Sequence, residues 1–270
     1  MVLIRHERAP VDGQPTKNTF CAIDGRTGAV LGSSVLYEDL NPMLYPARPL
    51  LVRIQTDGDE LPDVLMGATI ARAYQICQEH GEYARIFTRC APDEQALLQH
   101  FKPFGLEDND GLVRMQLDLP CLIHARLPDG VRIEHDRLED MLERRSFLMR
   151  YNQLFNVERD RTWLDQFTAR KGFMRLMALQ GGVMAGEVLF WREGDIGVIG
   201  FIQTERRWRR HGIGTALIQR ACDQLEQHGL ARAECNIRVR YPHMLHLLQK
   251  AGFEQAEVLM HYPGIDLDPE

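Results

Sequence analysis

The clearest chemical signature in the sequence is a short basic and glycine-rich segment, Arg209-Arg210-His211-Gly212-Ile213-Gly214-Thr215. It follows a strand-like run that ends at Thr204 and precedes a segment with helical periodicity. Backbone N–H groups in the first turn of a helix have no partner within the helix, and together with the helix dipole they bind phosphate groups. Glycines permit a close approach, and arginines add charge-assisted hydrogen bonds. The segment therefore predicts a diphosphate-binding loop.

Two other interpretations of this basic segment compete with the phosphate loop. One is a solvated loop that is merely followed by helix-capping glycines. The other is a nucleic-acid contact at Arg206–Arg210, but the chain has 38 acidic against 32 basic residues. The resulting net charge of −6 argues against a nucleic-acid partner and is compatible with a cationic acceptor. The order strand, loop, helix favours the phosphate interpretation.

The loop resembles the acetyl-coenzyme A (acetyl-CoA) signature of the GNAT superfamily of N-acetyltransferases, Arg/Gln-x-x-Gly-x-Gly/Ala. Arg209, Gly212 and Gly214 match its defined positions, and Gly252-Phe253 lies where the family places a Gly-Phe turn. The resemblance covers about residues 173–267. More loosely, the whole chain is similar to the tandem members of the family, in which a degenerate first domain precedes an active second one.

This resemblance implies acetyl-CoA as the co-substrate, no metal, and transfer of the acetyl group to a primary amine of a small-molecule or peptide acceptor. It also implies that the strand before the loop splays from its neighbour at a bulge, where the pantetheine arm pairs with the strand end. Thr204 departs from the small aliphatic residue that the family has there. The implied donor-binding residues are Ile202, Thr204, Arg209, Arg210, His211, Gly212, Ile213, Gly214 and Thr215.

The residues for proton transfer are less clear than the loop. The tyrosine that GNAT enzymes commonly use as the acid is replaced by Leu248, so Tyr241 or Tyr262 would have to act instead, unless each is a packing residue. Candidate bases are three glutamates that could equally be solvated surface residues: Glu187, Glu205 and Glu234. We predict Tyr241 as the acid and Glu234 or Glu205 as the base. The loss of the usual tyrosine keeps a non-catalytic acyl-CoA-binding or protein-interaction module open as the alternative function.

The elements that would position these residues occur twice in the chain. Residues 71–81 resemble residues 219–229, and both copies end in His-Gly, which is typical of a helix C-terminus. A strand precedes each of these helices, and a strand and a second helix follow it in the same order. The repeat predicts an α/β (α+β) fold with two GNAT-like domains, each a mixed twisted sheet flanked by helices. We place the degenerate domain at residues 1–120 and the acetyl-CoA-binding domain at residues 121–270.

The two copies differ in completeness. The second has helical periodicity over residues 138–155 and 162–169, then three strand-like runs at 173–179, 183–191 and 196–204. The first lacks the two early helices and the phosphate loop, because Leu61, Val64 and Met66 stand at the three signature positions. Carboxylates that would repel an anion crowd the same segment: Asp57, Asp59, Glu60 and Asp63. We expect only the second domain to bind the donor.

Composition indicates the class of protein and the cellular compartment. Apolar residues make up 44% and charged residues 26%, as in ordinary globular proteins. No run approaches 18 consecutive apolar residues, so we predict no membrane-spanning helix and no membrane partner. The six cysteines are far apart and form no CxxC, which predicts free, buried thiols in a reducing, cytoplasmic compartment. His243 and His246 lack a third ligand, so no metal site is predicted. A homodimer is left open.

Overall fold

The computed structural model describes residues 1–58 and 61–269, and the chain forms two compact units. The first contains Met1–Gly111, Gln153–Val157 and Met260–Glu270, and the second contains Leu112–Asn152 and Glu158–Leu259. The units therefore interleave along the chain. The repeat, in contrast, suggested two continuous segments that meet at residue 120. The bounds 1–120 and 121–270 remain a prediction for the two sequence copies.

Seven regular elements form the first hundred residues. In chain order they are β1 (Val2–His6), β2 (Thr19–Asp24), β3 (Val30–Leu40), β4 (Leu50–Asp57), α1 (Asp63–His80), β5 (Ala84–Phe87) and α2 (Gln95–Phe101). The chain then continues with β6 (Gly111–Asp118), β7 (Val131–Asp136), α3 (Met141–Phe155), α4 (Arg161–Thr168), β8 (Met174–Gln180), β9 (Val183–Glu193), β10 (Ile196–Thr204), α5 (Ile213–Gln227), β11 (Arg232–Arg238), α6 (Pro242–Lys250), β12 (Glu254–His261) and β13 (Gly264–Leu267).

Each unit contains one mixed sheet, and each sheet includes a strand that is distant in sequence. The first sheet has six strands in the order β1-β2-β3-β4-β5-β13, and the second has seven in the order β12-β6-β11-β10-β9-β8-β7. The last strand of the chain thus pairs antiparallel with β5, and β6 pairs antiparallel with β11. Because β13 belongs to the first sheet and β6 to the second, no single boundary in the sequence separates the two units.

The predicted repeat is confirmed in the order of elements. β4, α1, β5 and α2 follow one another as β10, α5, β11 and α6 do, and both sheets are flanked by helices. The two early helices, α3 and α4, occur only in the second copy, as predicted. The His-Gly ends also hold, because α1 ends at His80 before the left-handed Gly81, and α5 ends one residue before His228 and the left-handed Gly229.

Each unit has its own apolar core. Leu36, Val52 and Ile76 lie in the core of the first unit, and Val188, Ile199 and Leu217 lie in that of the second. All six cysteines are free and buried, as predicted, and burial raises the pKa of the Cys235 thiol to about 12. Among the described residues, no helix is long and apolar enough to cross a membrane.

Candidate functional site

The predicted phosphate loop lies between the end of β10 and the start of α5. A short 3-10 turn over Arg206–Trp208 leads out of the strand, and Gly212 is the residue that caps α5. No side chain caps this helix. In the part of the chain that the structure describes, the backbone N–H groups of Gly212, Ile213 and Gly214 form no hydrogen bond. The first turn of α5 therefore offers free donors to an anion.

Two residues of this loop have left-handed backbone conformations. The φ angle is 66° at Arg210 and 82° at Gly212. Glycine adopts this conformation without a steric penalty, but an ordinary L-residue such as arginine incurs about 1–2 kcal/mol. Such conformations cluster at ligand-binding sites, where successive reversals of the backbone turn N–H groups toward one concavity. The loop backbone has the shape of an anion site.

The basic side chains of the loop face solvent, and two of them also fix the loop. Arg209 Nε donates to the carbonyl of Thr204 at 3.1 Å, and His211 Nδ1 donates to the carbonyl of Arg209 at 2.8 Å. Arg209, Arg210 and His211 are all exposed. Their charges remain accessible to a ligand, while the bond from Arg209 ties the loop to the end of the strand.

The two signature glycines serve different purposes in this structure. A Cβ atom on Gly214 would lie 3.1 Å from Leu247 Cδ2 and 3.4 Å from Thr204 Oγ1. This glycine therefore allows α6 and the strand end to pack closely on α5, which differs from the expected role of clearing space for phosphates. Gly212 is required by its positive φ, and its Cβ would lie 3.1 Å from the carbonyl oxygen of Arg126.

The strand that precedes the loop diverges from its neighbour. β10 pairs in parallel with β11 only from Ile196 to Val198, whereas it pairs with β9 along its whole length. The register with β9 shifts between Ile199 and Phe201, which marks a bulge. Within the described residues, the edge of β10 that faces β11 thus has no strand partner from Ile199 onward. This confirms the splayed strand and the bulge that the family resemblance implied.

Ile202 and Thr204 lie on this open stretch of β10, between the bulge and the loop. Both are partly exposed, so an extended ligand can reach them. They therefore lie on one continuous path with the first turn of α5. A molecule with a diphosphate and a chain of amides fits the donors that this path presents.

The two proposed bases occupy different places along that path. Glu234 is on β11 directly opposite Val198, where the two strands begin to separate. Its side chain is mostly buried and forms an ion pair with Arg114 at 3.4 Å. Glu205 follows the other end of β10, about 20–23 Å farther along the strand. Glu234 therefore lies at the point of divergence, and Glu205 lies at the phosphate end.

Glu187, the third glutamate considered as a base, is part of a buried ion network. Its carboxylate has no exposed surface and accepts a 2.8 Å hydrogen bond from Arg175 and 3.2 Å bonds from Arg150. Arg175 is equally buried and also pairs with Asp136 and Glu143. With no exposed surface and with its oxygens bonded to two guanidinium groups, this carboxylate is not open to a ligand. The structure supports a structural role for Glu187.

The two tyrosines considered as the acid belong to different units. Tyr241 precedes α6 and packs against the core of the second unit, next to the end of β11. Leu248 is fully buried in the same core, which confirms that it acts through packing. Tyr262 belongs to the first unit, where its ring meets Phe87 edge-on at 5.9 Å. Tyr262 therefore packs within the first unit.

Sequence reasoning missed two polar atoms in this region. Among the described residues, Gln203 Oε1 and Trp208 Nε1 are buried without a hydrogen-bond partner. Gln203 lies on the open stretch of β10, opposite Glu187 on β9, and Trp208 lies in the loop. Buried polar atoms without partners are costly, and they frequently mark places where a ligand supplies the bond. Nothing in the periodicity distinguishes either residue from its neighbours.

The equivalent region of the first unit has different chemistry. α1 begins after Pro62, which has no backbone N–H, and Val64 and Met66 lie in its first turn. Met66 is fully buried, so this position packs in the core. Asp57 and Asp63 flank the helix start, whereas Asp59 and Glu60 lie outside the described residues. Within the described residues, this helix start therefore has carboxylates where α5 has arginines, and the N–H groups of Leu65 and Met66 donate to the carbonyl of Pro62.

Comparison with known proteins gives the following matches. Residues 137–253 match the model of the acetyltransferase (GNAT) family, and a search of the curated proteins gives no match. In structure, the chain is similar to a GCN5-related N-acetyltransferase from Sphaerobacter thermophilus, with 16% identity, 96% of this chain and 83% of that chain covered, and a TM-score of 0.51. A conserved protein of Enterococcus faecalis V583, described as a probable N-acyltransferase, matches with 9% identity over 90% of this chain and 61% of that chain, at a TM-score of 0.51. A tandem GNAT protein from the clavulanic acid biosynthesis pathway matches with 15% identity over 93% of this chain and 83% of that chain, at a TM-score of 0.49.

Proposed function

We propose that this protein transfers an acetyl group from acetyl-CoA to a primary amine, since residues 137–253 match the model of the acetyltransferase (GNAT) family. One observation carries the proposal. A diverging strand runs into a left-handed loop whose helix presents free N–H donors at Gly212, Ile213 and Gly214. This arrangement supports binding of a diphosphate with an extended arm beside β10.

Each part of the site has a separate task in this proposal. The first turn of α5 and the guanidinium groups of Arg209 and Arg210 hold the diphosphate. The open edge of β10 at Ile202 and Thr204 holds the amide-bearing arm by main-chain hydrogen bonds. Gln203 Oε1 offers one further acceptor beside that edge. The donor, when bound, supplies an activated thioester, and these residues fix its direction along the strand.

Proton transfer is assigned to residues near the divergence of the strands. The attacking amine must be uncharged, so a base has to accept its proton. Glu234 is the better placed of the two predicted bases, because it lies where β10 and β11 separate, whereas Glu205 lies at the phosphate end. We keep Tyr241 as the proposed acid, since it directly follows the strand that carries Glu234.

The reaction requires an acceptor, which we propose to be a small molecule or a peptide with a primary amine. The free buried thiols fit the cytoplasmic location predicted from the sequence. The rival function, a non-catalytic acyl-CoA-binding module, is favoured by one observation, the leucine at position 248 in place of the family's usual tyrosine.

Release of CoA from acetyl-CoA, measured over a panel of primary amines, separates the two functions. A transferase gives release that saturates with both donor and amine, and a mass increase of one acetyl group on the amine. Omission of the amine should reduce release to the rate of thioester hydrolysis. Tight donor binding without any amine-dependent release across the panel would favour the binding module.

A further inference from the structure

A segment outside the predicted phosphate loop also reaches the start of α5. This connector, residues 119–130, joins β6 to β7, which lie five strands apart in the second sheet. At about 4.8 Å per strand it must cross about 24 Å. The crossing takes it over the face on which α5 packs, since α5 contacts β8, β9, β10 and β11.

Contacts along the connector fix its path. Cys121 Sγ donates to the carbonyl of Ala251, directly after α6, at 3.5 Å. The N–H of Ala125 then donates to Gln219 Oε1 on α5 at 2.8 Å. One residue later, the carbonyl oxygen of Arg126 lies 3.1 Å from the position of a Cβ on Gly212. The connector therefore passes directly beside the residue that caps the helix.

Arg126 brings an uncommitted positive charge to this place. It is exposed, and within the described part of the chain its guanidinium has no hydrogen-bond or ion-pair partner. Several other arginines of the same unit are paired, for example Arg114 with Glu257 at 2.8 Å and Arg132 with Glu134 at 2.7 Å, whereas Arg137 and Arg210 are not paired with any described residue. An arginine side chain is long enough to reach past the capping residue from this backbone position, and guanidinium is well suited to phosphate.

The geometry points to Arg126 as a residue that binds the 3′-phosphate of CoA and selects for donors that carry it. This inference rests on the proposed function, in which the first turn of α5 and Arg209 and Arg210 hold the diphosphate. With the pantetheine arm along β10, the nucleoside end of the donor extends from the diphosphate away from the strand. The 3′-phosphate is the remaining anionic group of the donor, and Arg126 is the unpaired cation that the connector places at that end of α5.

Calorimetric titration of the full chain with CoA and with 3′-dephospho-CoA tests this assignment. The wild type should bind CoA about tenfold more tightly than dephospho-CoA, because one exposed charge-assisted bond distinguishes the two ligands. Arg126→Ala should weaken CoA about tenfold and leave dephospho-CoA within twofold, so that the preference disappears. Arg126→Lys should keep part of the preference, since it keeps the charge.

Arg137→Ala is the matched control. Arg137 is also exposed and without a partner among the described residues, but it lines a cavity with His228, at the other end of α5. That end is about 22 Å from the loop, by the rise of a 15-residue helix. This variant should bind both ligands as the wild type does. Equal weakening of both ligands by Arg126→Ala, or no weakening, would overturn the assignment, and a wild type that binds neither ligand would overturn the proposed donor itself.

Discussion

Replacement of Gly212 by alanine tests whether the left-handed turn before α5 is the donor site. Its φ of 82° imposes about 1–2 kcal/mol on an L-residue. In addition, the new Cβ would lie 3.1 Å from the carbonyl of Arg126, so the connector must shift slightly. For a chain of this size the conformational cost lowers Tm by about 2–8 °C. The turn would also lose the alignment of its N–H groups, and we expect at least a tenfold loss in CoA affinity, since bonds to a charged group contribute about 1.5–3 kcal/mol.

Gly229→Ala provides the control on the same helix. Gly229 follows α5 at its C-terminal end with a φ of 77°, and no heavy atom lies within 4 Å of the position of its Cβ. The variant should therefore lose a similar 1–2 kcal/mol of stability from the backbone alone. CoA affinity should stay at the wild-type value, because the phosphate donors are at the opposite end.

Thermal unfolding of both variants and calorimetric titration with CoA make the comparison. Similar losses in Tm with a loss of affinity confined to Gly212→Ala would support a donor site at the first turn of α5. If Gly212→Ala binds CoA as tightly as Gly229→Ala does, the left-handed turn is only a helix start and the reasoning is refuted.

Further substitutions test other parts of the second unit. Arg209→Ala should weaken CoA binding roughly ten- to a hundredfold with little change in the maximal rate, because the diphosphate is held alike in the ground and transition states; unchanged affinity in a titration would show a solvated charge. If the Tyr241 hydroxyl is the acid, Tyr241→Phe should lower the maximal rate on the order of a hundredfold with donor affinity unchanged, and a normal rate would remove the role of acid from Tyr241. Leu248→Ala should instead cost about 2–5 kcal/mol of stability, because Leu248 is a buried packing residue. Glu187→Gln should destabilise the protein by about 3–5 kcal/mol in urea unfolding, because it removes the fully buried one of the three carboxylates that pair with Arg175. Glu134→Gln, in a partly exposed pair with Arg132, should cost about 1 kcal/mol or less, and equal effects would contradict a buried ion network.

The local elements could be predicted from the sequence because periodicity and turn residues determine them. The strands β8, β9 and β10, the helices α3 and α4, and the His-Gly helix ends all lie within a few residues of their predicted places. The phosphate loop could be predicted, and stays a prediction, because its chemistry depends on residues close in sequence, Arg209 to Gly214. Its strand–loop–helix context is equally local.

The long-range features could not be predicted in the same way. β6 and β13 are ordinary short strands, and no property of their own residues specifies which sheet receives them. The role of Gly214 depends on Leu247, which α6 brings against it, and the placement of Arg126 depends on the path of the connector across α5. The separation of Glu234 from Glu205 along the strand likewise required the register of β10 with β11.

The number of CoA molecules bound by each chain tests the central claim most directly. Calorimetric titration of the full chain with acetyl-CoA should give a stoichiometry near one, because α5 begins with free donors, a left-handed turn and arginines, whereas α1 begins after Pro62 between Asp57 and Asp63. Gly212→Ala should weaken that single site. A stoichiometry near two, or a site unaffected by Gly212→Ala, would contradict the assignment of the donor to the start of α5.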